Sequence, residues 1–308
     1  MKLSVRNLFG WMLARVLFTS GAVRRARKWA LNNECILSVY FHKPSRQEFE
    51  TCLKWLKRNK FHFLSIQDIE RIIDKTMTFP KGGVLITVDD GWISNESNVV
   101  EVANRLQVPV SIFISTAPVE EGNFWWSYLH KAKHSGTKGL SKTALKKVPD
   151  EVRVSQINLL KKEISLERDA MTINQVKSTS HSRYITIGGH THTHPILINC
   201  NDNQAHQELQ ISRQKLEAWI GKEVPYFSYP NGDFSKREFT ILKSLDYRLA
   251  FSTEPKYLTP DCINAKYSLP RFLFLEGASF AENICRILGI WQTLTTRWGL
   301  SGFLATRT

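Results

Sequence analysis

No histidine follows His206 in this chain of 308 residues, no acidic residue precedes Glu34, and only five cysteines are present. The cysteines, Cys35, Cys52, Cys200, Cys262 and Cys285, are odd in number, widely spaced and free of Cys-x-x-Cys pairs. That pattern excludes a disulfide framework and a zinc knuckle, leaves isolated thiols, and favours a reducing compartment. The missing acids leave Lys2, Arg6, Arg15, Arg24, Arg25, Arg27 and Lys28 as seven unopposed positive charges. Long apolar runs are missing as well. Arg15 separates Leu8–Ala14 from Val16–Phe18, far short of the ~18 residues of a membrane span, and it interrupts any secretory hydrophobic region. Two readings of residues 1–33 stand. One is a basic, Trp-containing helix lying on an anionic membrane surface, the other a packing helix with solvated arginines.

Lys and Arg number 42 against 28 Asp and Glu, a net charge of +14. Such an excess raises nucleic acid as a partner, but no zinc-finger, helix-turn-helix or ribonucleoprotein-type motif is present, so none is expected. Much of the charge sits in the N-terminus and in residues 131–177, which include Lys131, Lys133, Lys138, Lys142, Lys146 and Lys147. Solvated helix faces explain that segment; contact with an anionic lipid or a phosphorylated glycan carrier is the alternative. No repeat or low-complexity linker interrupts the chain, and 42% hydrophobic content suits one barrel-sized domain with appendages.

Two stretches carry the chemistry. Gly83-Val84-Leu85-Ile86-Thr87-Val88 leads into Asp89-Asp90-Gly91, and Tyr184-Ile185-Thr186-Ile187-Gly188-Gly189 leads into His190-Thr191-His192-Thr193-His194-Pro195. Apolar, β-branched runs of this kind read as parallel strands buried on both faces. Groups at their C-terminal ends stand at the usual mouth of an α/β site. Two imidazoles and one carboxylate make a three-ligand metal site with room for water, and a second Asp is then free to take a proton. Adjacent strand residues point to opposite faces, so Gly91 is expected to break the strand and let both aspartates face the mouth. A binuclear metallohydrolase would need further ligands, and no histidine after His206 supplies them.

Together these stretches resemble the first two motifs of the polysaccharide deacetylase family, carbohydrate esterase family four, with its NodB-type catalytic domain. His190 and His194 match the second motif's ligands, and His192 falls on a variable position. Val39-Tyr40-Phe41-His42, Asn123-Phe124-Trp125-Trp126, Phe227-Ser228-Tyr229-Pro230-Asn231-Gly232 and Tyr267-Ser268-Leu269-Pro270-Arg271 are similar to further elements of the family, over about residues 35–275. The resemblance implies hydrolysis of an N-acetyl group on a glycan sugar. Asp90, His190 and His194 would hold one divalent cation, most simply zinc, with iron, cobalt or nickel also suited. Asp89 would be the general base and the Asn231 N–H an oxyanion donor. Ser228 replaces the family's arginine in the third motif, and Arg271 is the candidate substitute. The family's late Leu-x-His motif is missing; His42 either fills that general-acid role or is structural. Trp92, Tyr229 and Pro230 are the candidate substrate contacts. A degenerate glycan-binding member, or an O-acetyl esterase, is the alternative.

The expected fold is α/β, a deformed, incomplete (β/α) barrel of about seven parallel strands. The N-terminal segment would be residues 1–33, the catalytic domain 34–275 with a helical insertion about 117–182, and a helical tail 276–308, running from Ile284 through Trp291, Trp298 and Phe303 to Arg307. Strands are expected at 35–41, 83–89, 109–114, 184–189, 224–229, 247–252 and near 266–273. Helices are expected around 46–59, 94–106, 202–220 and 235–245, with Asp202 capping the third and Gly221 ending it. The expected location is the cytoplasm or the inner-membrane surface, with the glycan and peripheral lipid contact as partners.

Overall fold

The computed structural model describes residues 5–134 and 141–297. Lys2, Lys138, Trp298, Phe303 and Arg307 lie outside them. The strands are β1 (Ile36–Phe41), β2 (His62–Leu64), β3 (Gly83–Val88), β4 (Val110–Ile114), β5 (Ile185–Gly189), β6 (Tyr226–Ser228), β7 (Leu249–Phe251) and β8 (Phe272–Leu273). All pair in parallel, in the order β7-β6-β5-β4-β3-β1-β8, with β2 laid against the first half of β3. The segment before β8 bridges back to β7 through Phe251 and Leu269. The sheet therefore curls into the expected deformed barrel.

Fourteen helices accompany it among the described residues. Two precede the barrel, α1 (Val5–Thr19) and α2 (Ala22–Asn32). Next come α3 (Arg46–Arg58), α4 (Ile66–Ile73) and α5 (Glu101–Leu106). Between β4 and β5 lie α6 (Thr116–Glu121), α7 (Trp125–His134), α8 (Lys142–Leu145), α9 (Asp150–Glu163) and α10 (Ile173–Ser180). The rest are α11 (Asp202–Ile220), α12 (Lys236–Ser244), α13 (Phe280–Ile287) and α14 (Ile290–Arg297).

The strands are buried on both faces for two different reasons. Along β3, Val84, Ile86 and Val88 join the cluster beneath the helices, whereas Leu85 belongs to a second cluster with Ile36, Phe113, Tyr226, Phe251 and Leu269. The period of two thus sends one set outward under the helices and the other into the barrel. The interior is graded. It is apolar at Ile36 and Leu85, near the strand starts, and carries Thr87, Ser228 and Arg271 near the strand ends.

Several boundaries differ from expectation. The β2–α4 unit was not anticipated, because His62-Phe63-Leu64 is too short a run to stand out after the charged end of α3. The helix expected at 94–106 opens with a π-helical turn, Glu96–Val100. The cap of α11 is Asn201, not Asp202: its side chain accepts from Gln204 N–H, and Gln204 returns the bond in a capping box. Gly221 does end that helix, at φ 66°.

α1 and α2 pack on the barrel, placing Ala14, Leu17, Val23 and Ala30 in its main core. α1 is tied down by Glu282 of α13, a fully buried carboxylate that meets Arg6 and accepts from Arg286 Nε at 2.9 Å. Among the described residues, no helix is long and apolar enough to cross a membrane.

All five thiols are free. Burial pushes the Cys35 thiol up to about 11 and Cys200 and Cys285 up to about 12, and Cys52 is buried with its thiol raised still further. A thiolate is the reactive form, so these four should resist a thiol reagent in the native protein. Half-buried Cys262 should react first. Titration with an aromatic disulfide should show one fast thiol, lost in Cys262→Ser, and all five after denaturation; several fast native thiols would contradict this packing.

Candidate active site

Each strand end delivers its chemistry by continuing the interior face one step. Leu85 and Thr87 are followed at the same period by Asp89, Thr186 and Gly188 by His190, Tyr226 by Ser228, Leu269 by Arg271, and Tyr40 by His42. Gly188 makes room for this layer, since a Cβ there would lie 2.4 Å from the Phe113 ring. Asp89 remains in the ladder, donating its N–H to the Phe41 carbonyl at 2.8 Å.

Asp90 would point away from the mouth if the strand continued. The reversal occurs at Asp90 itself, with φ 77°, followed by Gly91 at φ 87°. Glycine is suited to such a backbone, whereas an aspartate in it is held by its surroundings. Trp92 Nε1 donates to Asp90 Oδ2 at 2.9 Å. The other oxygen, Oδ1, stands 3.4 Å from His190 Nε2 and 3.3 Å from His194 Nε2. One donor atom from each of the three buried residues lies within 4.8 Å of the others.

The histidine tautomers suit a cation. His190 Nδ1 lies 2.7 Å from the Ser228 carbonyl, which can only accept, so Nδ1 carries a proton and Nε2 is the nitrogen left facing Asp90. Burial, helped by His190 and opposed by Asp90, pushes His194 down to about 4, which keeps that ring neutral. Burial alone would raise Asp90, but contact with the two imidazoles holds it well below the usual carboxylate range. A cation set between the Asp90 oxygen and the two ring nitrogens would meet a donor atom on each of three sides. The residues present fit a divalent metal.

The turn that carries the two histidines is gripped from below. Glu208 of α11 accepts from His192 N at 2.8 Å, Thr193 N at 2.7 Å and Thr193 Oγ1 at 2.8 Å. Thr191 and His194 hold positive φ, 64° and 57°. His192 turns away, its Nδ1 lying 2.8 Å from Thr116 Oγ1. Trp126 packs edge-on against His194 at 4.6 Å, and Lys142 lies over the Trp126 ring at 4.8 Å.

Asp89 is held separately. Arg271, fully buried, donates to both its oxygens at 2.8 Å, to Ser228 Oγ at 2.7 Å, to Thr87 Oγ1 at 2.9 Å and to the Ser252 carbonyl at 3.0 Å. Burial pushes the Asp89 carboxyl up, and the Arg271 charge, with His190, more than offsets this and holds it below its ordinary value.

The remaining candidates are distributed unevenly. His42, half-buried at the end of β1, donates its backbone N–H to Glu276 Oε1 at 2.7 Å, and its Nδ1 lies 4.0 Å from Glu276 Oε2. It follows the end of β1, whose Phe41 pairs with Val88 of β3, so it stands beside the strand end that carries the two aspartates. Asn231 sits at φ 60° in the turn opened by Pro230, with Lys146 Nζ donating to its Oδ1 at 2.6 Å. Tyr229 must be corrected. Its ring is fully buried against Phe227 and Phe234 and its hydroxyl donates to the Tyr267 carbonyl at 2.8 Å, so it offers no side-chain surface to a substrate. Pro230 is buried too and shapes the turn. Trp92, half-buried against Phe124 at 4.3 Å, orients Asp90. Sequence reasoning missed Glu208 and Glu276, and it did not place Lys142 beside Trp126 or Lys146 on Asn231. Only the inward register of Glu208, beside Leu209 on α11, could have pointed to one of them.

With this geometry in place, the comparisons with known proteins give the class. The family model for polysaccharide deacetylase matches residues 76–250, more than half the chain. The chain belongs to that family. Among its relatives, a poly-β-1,6-N-acetyl-D-glucosamine N-deacetylase of Staphylococcus aureus is 24% identical over 237 residues, 77% of this chain and 69% of the relative. Its namesake in Staphylococcus epidermidis is 22% identical over 232 residues, 75% and 68% of the two chains. The fold is shared with the deacetylase PplD of Streptococcus pyogenes, at TM-score 0.61 and 17% identity over 82% of this chain and 98% of that one. IcaB from Ammonifex degensii superposes at TM-score 0.61 and 18% identity, covering 83% and 98%.

Replacing Arg271 by Met removes the charge opposite a buried carboxylate and should cost about 3–5 kcal/mol in urea unfolding. Ser228→Ala, which removes one hydroxyl from the network, should cost about 1–2 kcal/mol. The sign with pH follows from the depressed Asp89: the parent keeps this stability above about pH 4 and loses it as acid protonates the group, and the Met variant should lack that acid limb. Equal stability of parent and R271M across pH would refute the pairing.

Proposed function

We propose that the chain removes the N-acetyl group of an amino sugar in a polysaccharide or lipid-linked glycan by hydrolysis, with one divalent cation held by Asp90, His190 and His194. The observation that supports this most directly is the convergence of one carboxylate and two imidazole nitrogens within 4.8 Å at the mouth, beside a second carboxylate fixed by Arg271. When bound, a zinc ion or similar cation lowers the pKa of water and polarises the acetyl carbonyl. The protein residues divide the remaining work. Asp89 accepts the proton of the attacking water, and Arg271 keeps that carboxylate ionised and aimed. The Asn231 N–H donates to the oxygen that gains charge as water adds to the acetyl carbon. His42, backed by Glu276, gives a proton to the sugar nitrogen as the carbon–nitrogen bond breaks, releasing acetate and a free amine. The names of the relatives make a β-1,6-linked N-acetylglucosamine oligomer the first substrate to test.

Asp89→Asn should lower acetate release from such an oligomer by about 10²–10⁴-fold while leaving bound metal, measured by elemental analysis, at the parent level. An active Asn variant would remove Asp89 from the role of base. His190→Ala and His194→Ala should lose the metal, and a chelator should abolish activity until zinc, cobalt or nickel is returned. His42→Ala should slow release by about 10²-fold; unchanged turnover would make His42 structural.

A further inference from the structure

α1 buries one face and shows an apolar one to solvent. Gly10, Ala14 and Leu17 lie against the barrel. Gly10 admits the Glu282 carboxylate so closely that a Cβ would stand 2.4 Å from its Oε2. The opposite face carries Val5, Leu8, Met12 and Val16, which are 81%, 49%, 48% and 60% exposed, with Phe9 beside them. At 100° per residue these five share one arc, where a surface helix ordinarily carries polar groups. α2 does the reverse: it buries Val23 and Ala30 and turns Arg24, Arg25 and Lys28 outward. Arg15, stacked on Trp11 at 5.0 Å, borders the apolar stripe. No acidic residue occurs between Val5 and Asn33 to offset these cations.

We propose that α1 and α2 form a docking surface for an anionic lipid bilayer. Leu8, Met12 and Val16 enter the headgroup boundary, and Arg15, Arg24, Arg25 and Lys28 meet the lipid phosphates. A second copy of the chain fits this face less well, because a two-fold contact would set one basic flank against another. The surface also has a direction relative to the site. Asn7 Nδ2 lies 3.5 Å from the Gly277 carbonyl, and the neighbouring Glu276 accepts the His42 N–H. α1 therefore begins at the rim of the barrel mouth, and docking sets that mouth beside the membrane surface. This inference stands apart from the catalytic reading and does not need its chemistry.

Co-sedimentation of the full chain with vesicles tests it. The parent should sediment with mixed phosphatidylglycerol–phosphatidylcholine vesicles at low salt, be released by high salt, and bind pure phosphatidylcholine weakly. The double variant Leu8→Glu, Met12→Glu, and separately the triple variant Arg24→Gln, Arg25→Gln, Lys28→Gln, should each bind more than about tenfold less tightly. All five positions are exposed and outside the active site, so thermal unfolding and acetate release from a soluble oligomer should stay at the parent level. Failure of the parent to bind anionic vesicles, or unchanged binding by both variants, overturns the proposal. So does a dimer in light scattering that the Glu variant dissolves while vesicle binding is absent, since that result assigns the face to a second copy. Loss of acetate release in the parent would bear on the catalytic reading alone.

Discussion

The buried guanidinium of Arg271 is the interaction on which the rest of the architecture depends. It arrives on the strap between β7 and β8 and donates to groups at the ends of β3, β6 and β7. Those strands lie on both sides of the gap in an incomplete barrel, so one side chain spans the place where the sheet lacks a strand-to-strand ladder. The Tyr40, Phe113 and Phe251 rings surround it, the nearest centroid 4.6 Å away. A charge so enclosed is tolerable only because every direction in which it can donate meets an acceptor. Structural closure and the ionised state of Asp89 consequently share one cause.

The same arrangement explains the serine in the third motif. Arg271 reaches Asp89 from a different strand end and uses the Ser228 hydroxyl as a stepping stone at 2.7 Å. A second guanidinium at position 228 would meet the first head-on. Within the barrel the charge has one station, and here Arg271 fills it.

Much of this was legible in the sequence because strand ends in a barrel obey a period of two. The aspartate pair and the histidine pair lie at the ends of long buried runs, where that period is visible, whereas Arg271, preceded by only two buried residues, was reached through the resemblance of its Leu-Pro-Arg segment. What escaped was of another kind. Glu208 reaches the histidine turn from the middle of a helix and Glu276 reaches His42 from a loop, contacts that depend on tertiary placement and leave no local pattern. Asn201 outcompeted Asp202 as a cap because it stood one residue earlier, where its side chain could meet the Gln204 amide. Tyr229 was misread for the opposite reason: it sits beside chemistry in the sequence, yet the alternation that turns Ser228 toward the mouth turns its neighbour into the core.

Asp90, Thr191, His194 and Asn231 all hold left-handed backbones, at φ 77°, 64°, 57° and 60°. Residues other than glycine adopt that conformation at a cost of about 1–3 kcal/mol each unless their surroundings enforce it. Here the enforcement comes from distant parts of the chain, among them Glu208 beneath the histidine turn and Thr253, whose hydroxyl donates to the Asn231 carbonyl at 3.2 Å. A synthetic peptide bearing the His-Thr-His-Thr-His-Pro segment would relax out of this shape, and grafting the segment onto another scaffold would carry the letters without the geometry. The portable unit is larger: the turn, the carboxylate that grips its amides and the strand end that faces it must travel together.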